Sequence, residues 1–241
     1  MNARMNAETA AHMKQQIAIA RRMLHRHGLD SQIGGHVSLR VPGEDAFFVT
    51  PFQYFDECLP EHVSKVGFDL AVREPGTLPA SPGINFHASI YRHRPDVHAA
   101  IHTHSDKISI LSSADKPFDV YYAPGAIFVD DIGYFVDNGA VLPDEEGEIM
   151  AGILGSKRAV FMKHHGAVHV GARLEDVVVE TILLEKCANY QIEAMSIGAK
   201  PLAPELVKSY RKTYRSNGFQ RQEWESYLRQ LKATDPVLFG A

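Results

Sequence analysis

Apolar residues Met13, Ile17, Ala20 and Leu24 recur three or four positions apart, predicting an amphipathic helix over 8–27 that Gly28 closes. The period then shortens. HVSLRV at 36–41 and AFFVT at 46–50 are β-prone runs, and Pro42-Gly43-Glu44-Asp45 between them has the composition of a hairpin loop. In SPGINFHASIYRHRPDV, Ser81 can cap a helix, Pro82 suits its first position, and Pro95 keeps Arg94 out of helical geometry, so the helix should stop near His93. VHAAIHTHS, from Val97, predicts a buried strand with a short helix over 106–111 behind it. RAVFM and AVHV form a second strand pair around Lys163-His164-His165-Gly166, leading into a long helix over 174–197 that Gly198 ends. Strands alternate with helices, so the fold class is α/β.

Pro201 and Pro204 interrupt the chain after Ala199, and helical patterns resume over 205–215 and 220–232. The division expected is therefore a main domain over 8–198 and a C-terminal helical tail over 199–241. KSYRKTYR and RQEWESYLRQ in that tail alternate basic with aromatic residues; helical spacing makes them an exposed helix or a subunit contact rather than a nucleic-acid surface. Tyr210, Tyr214 and Trp224 are apolar enough to dock on a neighbour.

The 241 residues are 45% apolar and 22% charged, an ordinary globular composition with enough chain for one large core. A net charge of -4 gives no general positive field, so nucleic acid and anionic membranes are not expected partners. There is no secretory leader pattern and no long apolar run. Cys58 and Cys187 form no CxxC pair, so neither a disulfide framework nor a thiolate zinc site is supported, and the chain reads as cytoplasmic. Histidine is the unusual component: 13 residues, more than the 12 Phe or 9 Tyr.

His102 and His104, two apart on a predicted strand, leave the same sheet face and can reach one ion. A third ligand can come from His164 or His165 in the later loop, beside a glycine that permits an unusual turn. Three neutral imidazoles would leave a divalent ion its full charge and open positions for substrate, the pattern of a catalytic site.

SPGINFHASIYRHRPDVHAAIHTHS, followed later by KHHGAVHVGARLEDVVVETILLEKCANY, resembles the class II aldolase and adducin family, and GGHVSLR resembles that family's early GN-S-R segment. The likeness covers about residues 8–198. It implies a three-layer α/β/α fold around a mixed, largely antiparallel sheet, and a homotetramer with sites at subunit interfaces. It also implies His102, His104 and His165 as ligands of one divalent ion (Zn, Mn or Fe), with His164 a neighbour. Substrate contacts would fall at His36, Ser38 and Thr50.

Two departures from the family matter. Gly83 stands where the aldolases carry a general acid/base glutamate, which leaves His87, Asp130 and Asp131 as candidate substitutes. Phe52-Gln53-Tyr54-Phe55 replaces the small residues that let a backbone approach phosphate, so Phe52, with Tyr122, would line a pocket for an aromatic or apolar acid. The expected function is a metal-dependent carbon–carbon lyase, of decarboxylase or aldolase type, acting on a small non-phosphorylated, aromatic oxo or hydroxy acid. The alternatives are a non-heme iron oxygenase on the same fold and an adducin-like non-catalytic protein.

Overall fold

The computed structural model describes residues 2–114, 116–136 and 143–240. The long helix α1 (Asn2–Arg26) leads into a hairpin of β1 (His36–Arg40) and β2 (Ala46–Val49), followed by β3 (Ser64–Gly67) and β4 (Val72–Glu74). Next come α2 (Asn85–His93), β5 (Ala99–Thr103), α3 (Asp106–Ser113), β6 (Ile132–Phe135), α4 (Pro143–Leu154), β7 (Ala159–Met162) and β8 (Gly166–Gly171). Three helices, α5 (Leu174–Ser196), α6 (Pro204–Ser216) and α7 (Phe219–Thr234), finish the chain.

The strands form one sheet in the order β4-β3-β2-β1-β5-β8-β7-β6, antiparallel throughout except for the parallel β6–β7 pair. Strand alternation sends Val37, Ala99 and Ile101 to one face, where they pack with α1, α5 and α7. Phe47, Ala100, Val160 and Val168 point to the other face and meet α2 and α4. A third cluster joins α3 and α5 to Phe161 and Ala167. The result is the expected three-layer α/β/α arrangement around a mixed, largely antiparallel sheet.

Three local differences have physical causes. Helix α2 begins at Asn85 with Ile84 as its cap residue, because Gly83 takes a left-handed conformation (φ +74°) that no helix interior accepts; Ser81 and Pro82 therefore lie outside it. His104 lies just beyond the end of β5. The strands β3, β4 and β6 and the helix α4 have patterns too short or too mixed to stand out, and all of β4 is exposed. In the tail, Trp224 and Leu231 are buried against the α1 and α5 core of their own chain, so Trp224 is occupied here and does not await a neighbour. Among the described residues, no helix is long and apolar enough to cross a membrane.

Candidate metal centre

The end of β5 and the β7–β8 turn lie side by side, since Thr103 pairs with Ala167 and Met162 with Gly166. That register brings His102, His104 and His165 together: His104 Nε2 is 2.9 Å from His102 Nε2 and 2.8 Å from His165 Nε2. One ligand atom from each of the three lies within 4.8 Å of the other two.

The protons decide what this cluster can do. His102 Nδ1 donates to the Ala167 carbonyl at 3.0 Å, so the neutral ring presents a lone pair at Nε2. Burial first, then the neighbouring imidazoles, hold His102 well below the usual histidine range and His104 at about 4. A neutral His104 can place at most one Nε2 hydrogen between two neighbouring ring nitrogens. Such converging lone pairs fit a divalent ion better than they fit each other.

The scaffold is built for this approach. A β-carbon on Gly166 would fall 2.1 Å from the Thr103 carbonyl oxygen, so only glycine lets β8 start this close to β5. Two residues before it, exposed His164 takes φ +61°, a rare conformation for a residue with a side chain, and turns the chain so that His165 faces His104. A β-carbon on Gly34 would meet the His104 ring at 2.9 Å, and Ser31 Oγ accepts the His104 backbone N–H at 2.6 Å. Glu185 of α5 accepts the Lys107 and Ile108 N–H groups at 2.8 and 2.9 Å, fixing the start of α3 immediately after the ligand pair. Neither Ser31 nor Glu185 stood out in the sequence; the available signal for Glu185 was an acid set among apolar residues in TILLEKCANY.

The pattern of the Class II Aldolase and Adducin N-terminal domain matches residues 15–192. The chain belongs to this family. It is 30% identical over 226 residues to "Decarboxylase NovR" of Streptomyces niveus, covering 92% of this chain and 83% of that one. It is 29% identical over 234 residues to "4-hydroxy-3-prenylphenylpyruvate oxygenase/4-hydroxy-3-prenylbenzoate synthase" of Streptomyces roseochromogenus subsp. oscitans, covering 95% and 83%. The crystal structure of an aldolase II superfamily protein from Pseudomonas syringae superimposes with a TM-score of 0.86 at 23% identity, covering 93% and 94% of the two chains, which establishes the shared fold.

Within this class II aldolase fold, a second histidine layer lies beneath the triad. His36 pairs with His102 across β1 and β5, its ring centroid 5.2 Å from that of His102 and 5.3 Å from that of His87. His87 is fully buried, hydrogen-bonded from Nδ1 to Ser38 Oγ at 2.7 Å, and burial, followed by the neighbouring His102 imidazole, pushes it down to about 3. Ser38 also meets the Tyr91 hydroxyl at 2.7 Å and has no exposed surface, so within the chain its hydroxyl ties β1 to α2. A β-carbon on Gly83 would lie 3.6 Å from the His36 ring, so the imidazole edge occupies the space next to the missing side chain.

The remaining candidates separate by position. Thr50 is buried and its hydroxyl accepts the Val37 N–H at 3.2 Å, a structural bond. Phe52 is 47% exposed on the loop that follows β2. Tyr122 stacks on Tyr190 of α5 at 4.4 Å, in a separate aromatic cluster. Asp131 precedes Ile132, which pairs with Ala159 and through it with His169, at the end of the sheet opposite the triad. There Asp131 is bound to Arg158 and Arg215, and Asp130 faces Arg211 at 3.6 Å. Within one chain, neither aspartate is brought to the histidine centre.

Proposed function

We propose that the chain is a divalent-metal-dependent carbon–carbon lyase of decarboxylase type, acting on a non-phosphorylated, aromatic oxo or hydroxy acid. The observation that carries this reading is the convergence of three imidazole Nε2 atoms with no carboxylate at position 83 beside them. Bound at His102, His104 and His165, a divalent ion supplies a fixed positive charge that polarises a substrate carbonyl. In a 3-oxo acid, loss of carbon dioxide breaks the bond to the carboxyl carbon and its electron pair passes into the neighbouring carbonyl as an enolate, so a proton is required only afterwards, at carbon. Gly83 is compatible with that order, whereas aldol cleavage calls for a base at the start. Phe52 and Tyr54 expose their rings on the loop after β2, and aromatic surface of this kind favours a flat apolar body over a sugar phosphate.

The relative named decarboxylase supports the lyase reading. The relative named oxygenase, matched over 95% of this chain, supports the second reading, in which the same three histidines serve oxygen chemistry with iron. Retention of all three imidazoles weighs against a non-catalytic adducin-like role. We further propose a homotetramer, as the family resemblance implies; Ile33, Phe52 and Tyr54, exposed in a single chain, offer apolar surface to a neighbour. A cytoplasmic location fits the two unpaired, buried cysteines, Cys58 and Cys187. The deciding experiment is assay of the anaerobically purified, metal-analysed protein on aromatic oxo and hydroxy acids under nitrogen and under air. Carbon dioxide release under nitrogen supports the lyase, and turnover only in air replaces it with the oxygenase.

A further inference from the structure

Arg21 of α1 has no exposed surface, yet among the described residues it faces no carboxylate. Its guanidinium donates to the Pro51 carbonyl at 2.9 Å and to the Gln53 carbonyl, lies 4.2 Å from the centre of the Phe55 ring, and leaves Nε without a partner. Burial pushes it down to about 10, more than the nearby Cys58 holds it up, so the group stays charged at neutral pH. A buried cation compensated only by carbonyl dipoles and one aromatic face is costly, and its cost calls for a use.

The position suggests that use. The 51–55 loop leaves β2 at the end of the sheet where His36 and His102 pair, and Phe55 packs against Gly35: a β-carbon there would meet the Phe55 ring at 2.9 Å and the His102 carbonyl at 2.9 Å. Because a trans peptide is planar, a carbonyl turned inward sends the N–H of the same unit outward. Two units of the loop are held this way. The Phe52 N–H is taken by the Pro79 carbonyl at 3.3 Å, whereas the Tyr54 N–H, on the far side of the Gln53 carbonyl from Arg21, has no partner among the described residues.

We propose that Arg21 is a specificity-determining residue of the histidine site: from behind the 51–55 loop it supplies the positive charge, and through the Gln53–Tyr54 peptide the directed N–H donor, that select a carboxylate-bearing ligand. This rests on the reading of the site as a metal centre acting on acids. One free donor between the exposed side chains of Phe52 and Tyr54 suits a planar monoanion; phosphate would call for several donors and more room.

The test is calorimetric binding of mandelate and of its neutral isostere mandelamide to the zinc-loaded full chain. The unmodified chain should prefer mandelate. Arg21→Met should cut that preference by about ten-fold or more, the scale of a hydrogen bond to a charged group, with zinc affinity unchanged, while Arg21→Lys retains most of it. Tyr54 has φ -59°, which proline also adopts, so Tyr54→Pro deletes the N–H without changing that angle; it should lose the preference that Tyr54→Ala keeps, and this pair decides the matter if Arg21→Met does not fold. An unaltered preference in Arg21→Met or Tyr54→Pro, zinc binding without any preference for the acid, or tighter binding of inorganic phosphate than of mandelate would overturn the proposal. Failure of the unmodified chain to bind zinc would instead overturn the metal reading, and this proposal with it.

Discussion

Gly166 and Thr103 approach so closely that a β-carbon on the first would stand 2.1 Å from the carbonyl oxygen of the second. This contact sets the spacing between the strand that carries His102 and the turn that carries His165. Gly166→Ala must push β8 off β5, at about 1–3 kcal/mol of stability. The same shift moves His165 away from its partners, so zinc affinity should fall by about ten-fold or more. Thermal unfolding and zinc titration of the variant check the two effects separately, and unchanged values would remove Gly166 from the account.

Much of this centre was legible before any coordinates, for reasons specific to its residues. His102 and His104 announce themselves by a two-residue spacing, whereas the pattern leaves His164 and His165 open and the family resemblance points to His165. The layers follow from periodicities at α1, α5 and the β1–β2 hairpin. Other features depend on contacts remote in sequence. Arg21 and Gln53 meet across 32 positions, Lys107 and Glu185 across 78, and no local pattern marks either pair. The same holds for Asp131, whose arginine partners Arg158 and Arg215 lie 27 and 84 positions away. Ser81 failed as a helix cap because Gly83 uses its conformational freedom to delay the helix.

A buried network joins α5 and the tail to the sheet. Glu180 is bonded by Arg158 Nη1 at 2.8 and 2.7 Å, faces His169 at 3.2 Å and accepts from Gln220 at 2.9 Å. Burial pushes its carboxyl up, but these partners outweigh burial and hold it at about 2, below its ordinary 4.5. A depressed carboxylate contributes stability that is present above its unfolded value and lost as the pH falls. The unfolding temperature should therefore decline between about pH 4.5 and pH 2, with on the order of 3 kcal/mol at stake. In Glu180→Gln, which is less stable at neutral pH, that decline should be much shallower; an identical pH profile would contradict the assignment.

The tail is tested at Trp224, which is 8% exposed in the core shared with α1 and α5. Trp224→Ala should cost about 3–5 kcal/mol. If the ring belongs to its own chain's core, the fall in unfolding temperature is independent of protein concentration; a loss that appears only at low concentration would move Trp224 to a subunit interface.

Sugar phosphates should be poor substrates. Without a carboxyl group at Gly83, an aldol route lacks a proton-transfer group typically worth about two to four orders of magnitude in rate. Fuculose 1-phosphate assayed beside aromatic oxo and hydroxy acids should show turnover lower by roughly that factor. Comparable turnover of the phosphate would mean that another group supplies the proton transfer.

The most direct test of the metal centre is X-ray absorption with metal analysis on anaerobically purified protein and on His104→Ala. One divalent ion per chain is expected, with three imidazole nitrogens at about 2.0–2.1 Å if the ion is zinc. His104→Ala should lose most of the metal and one of the nitrogen ligands from what remains. Full metal content with unchanged ligand geometry in His104→Ala would contradict a site built on His102, His104 and His165.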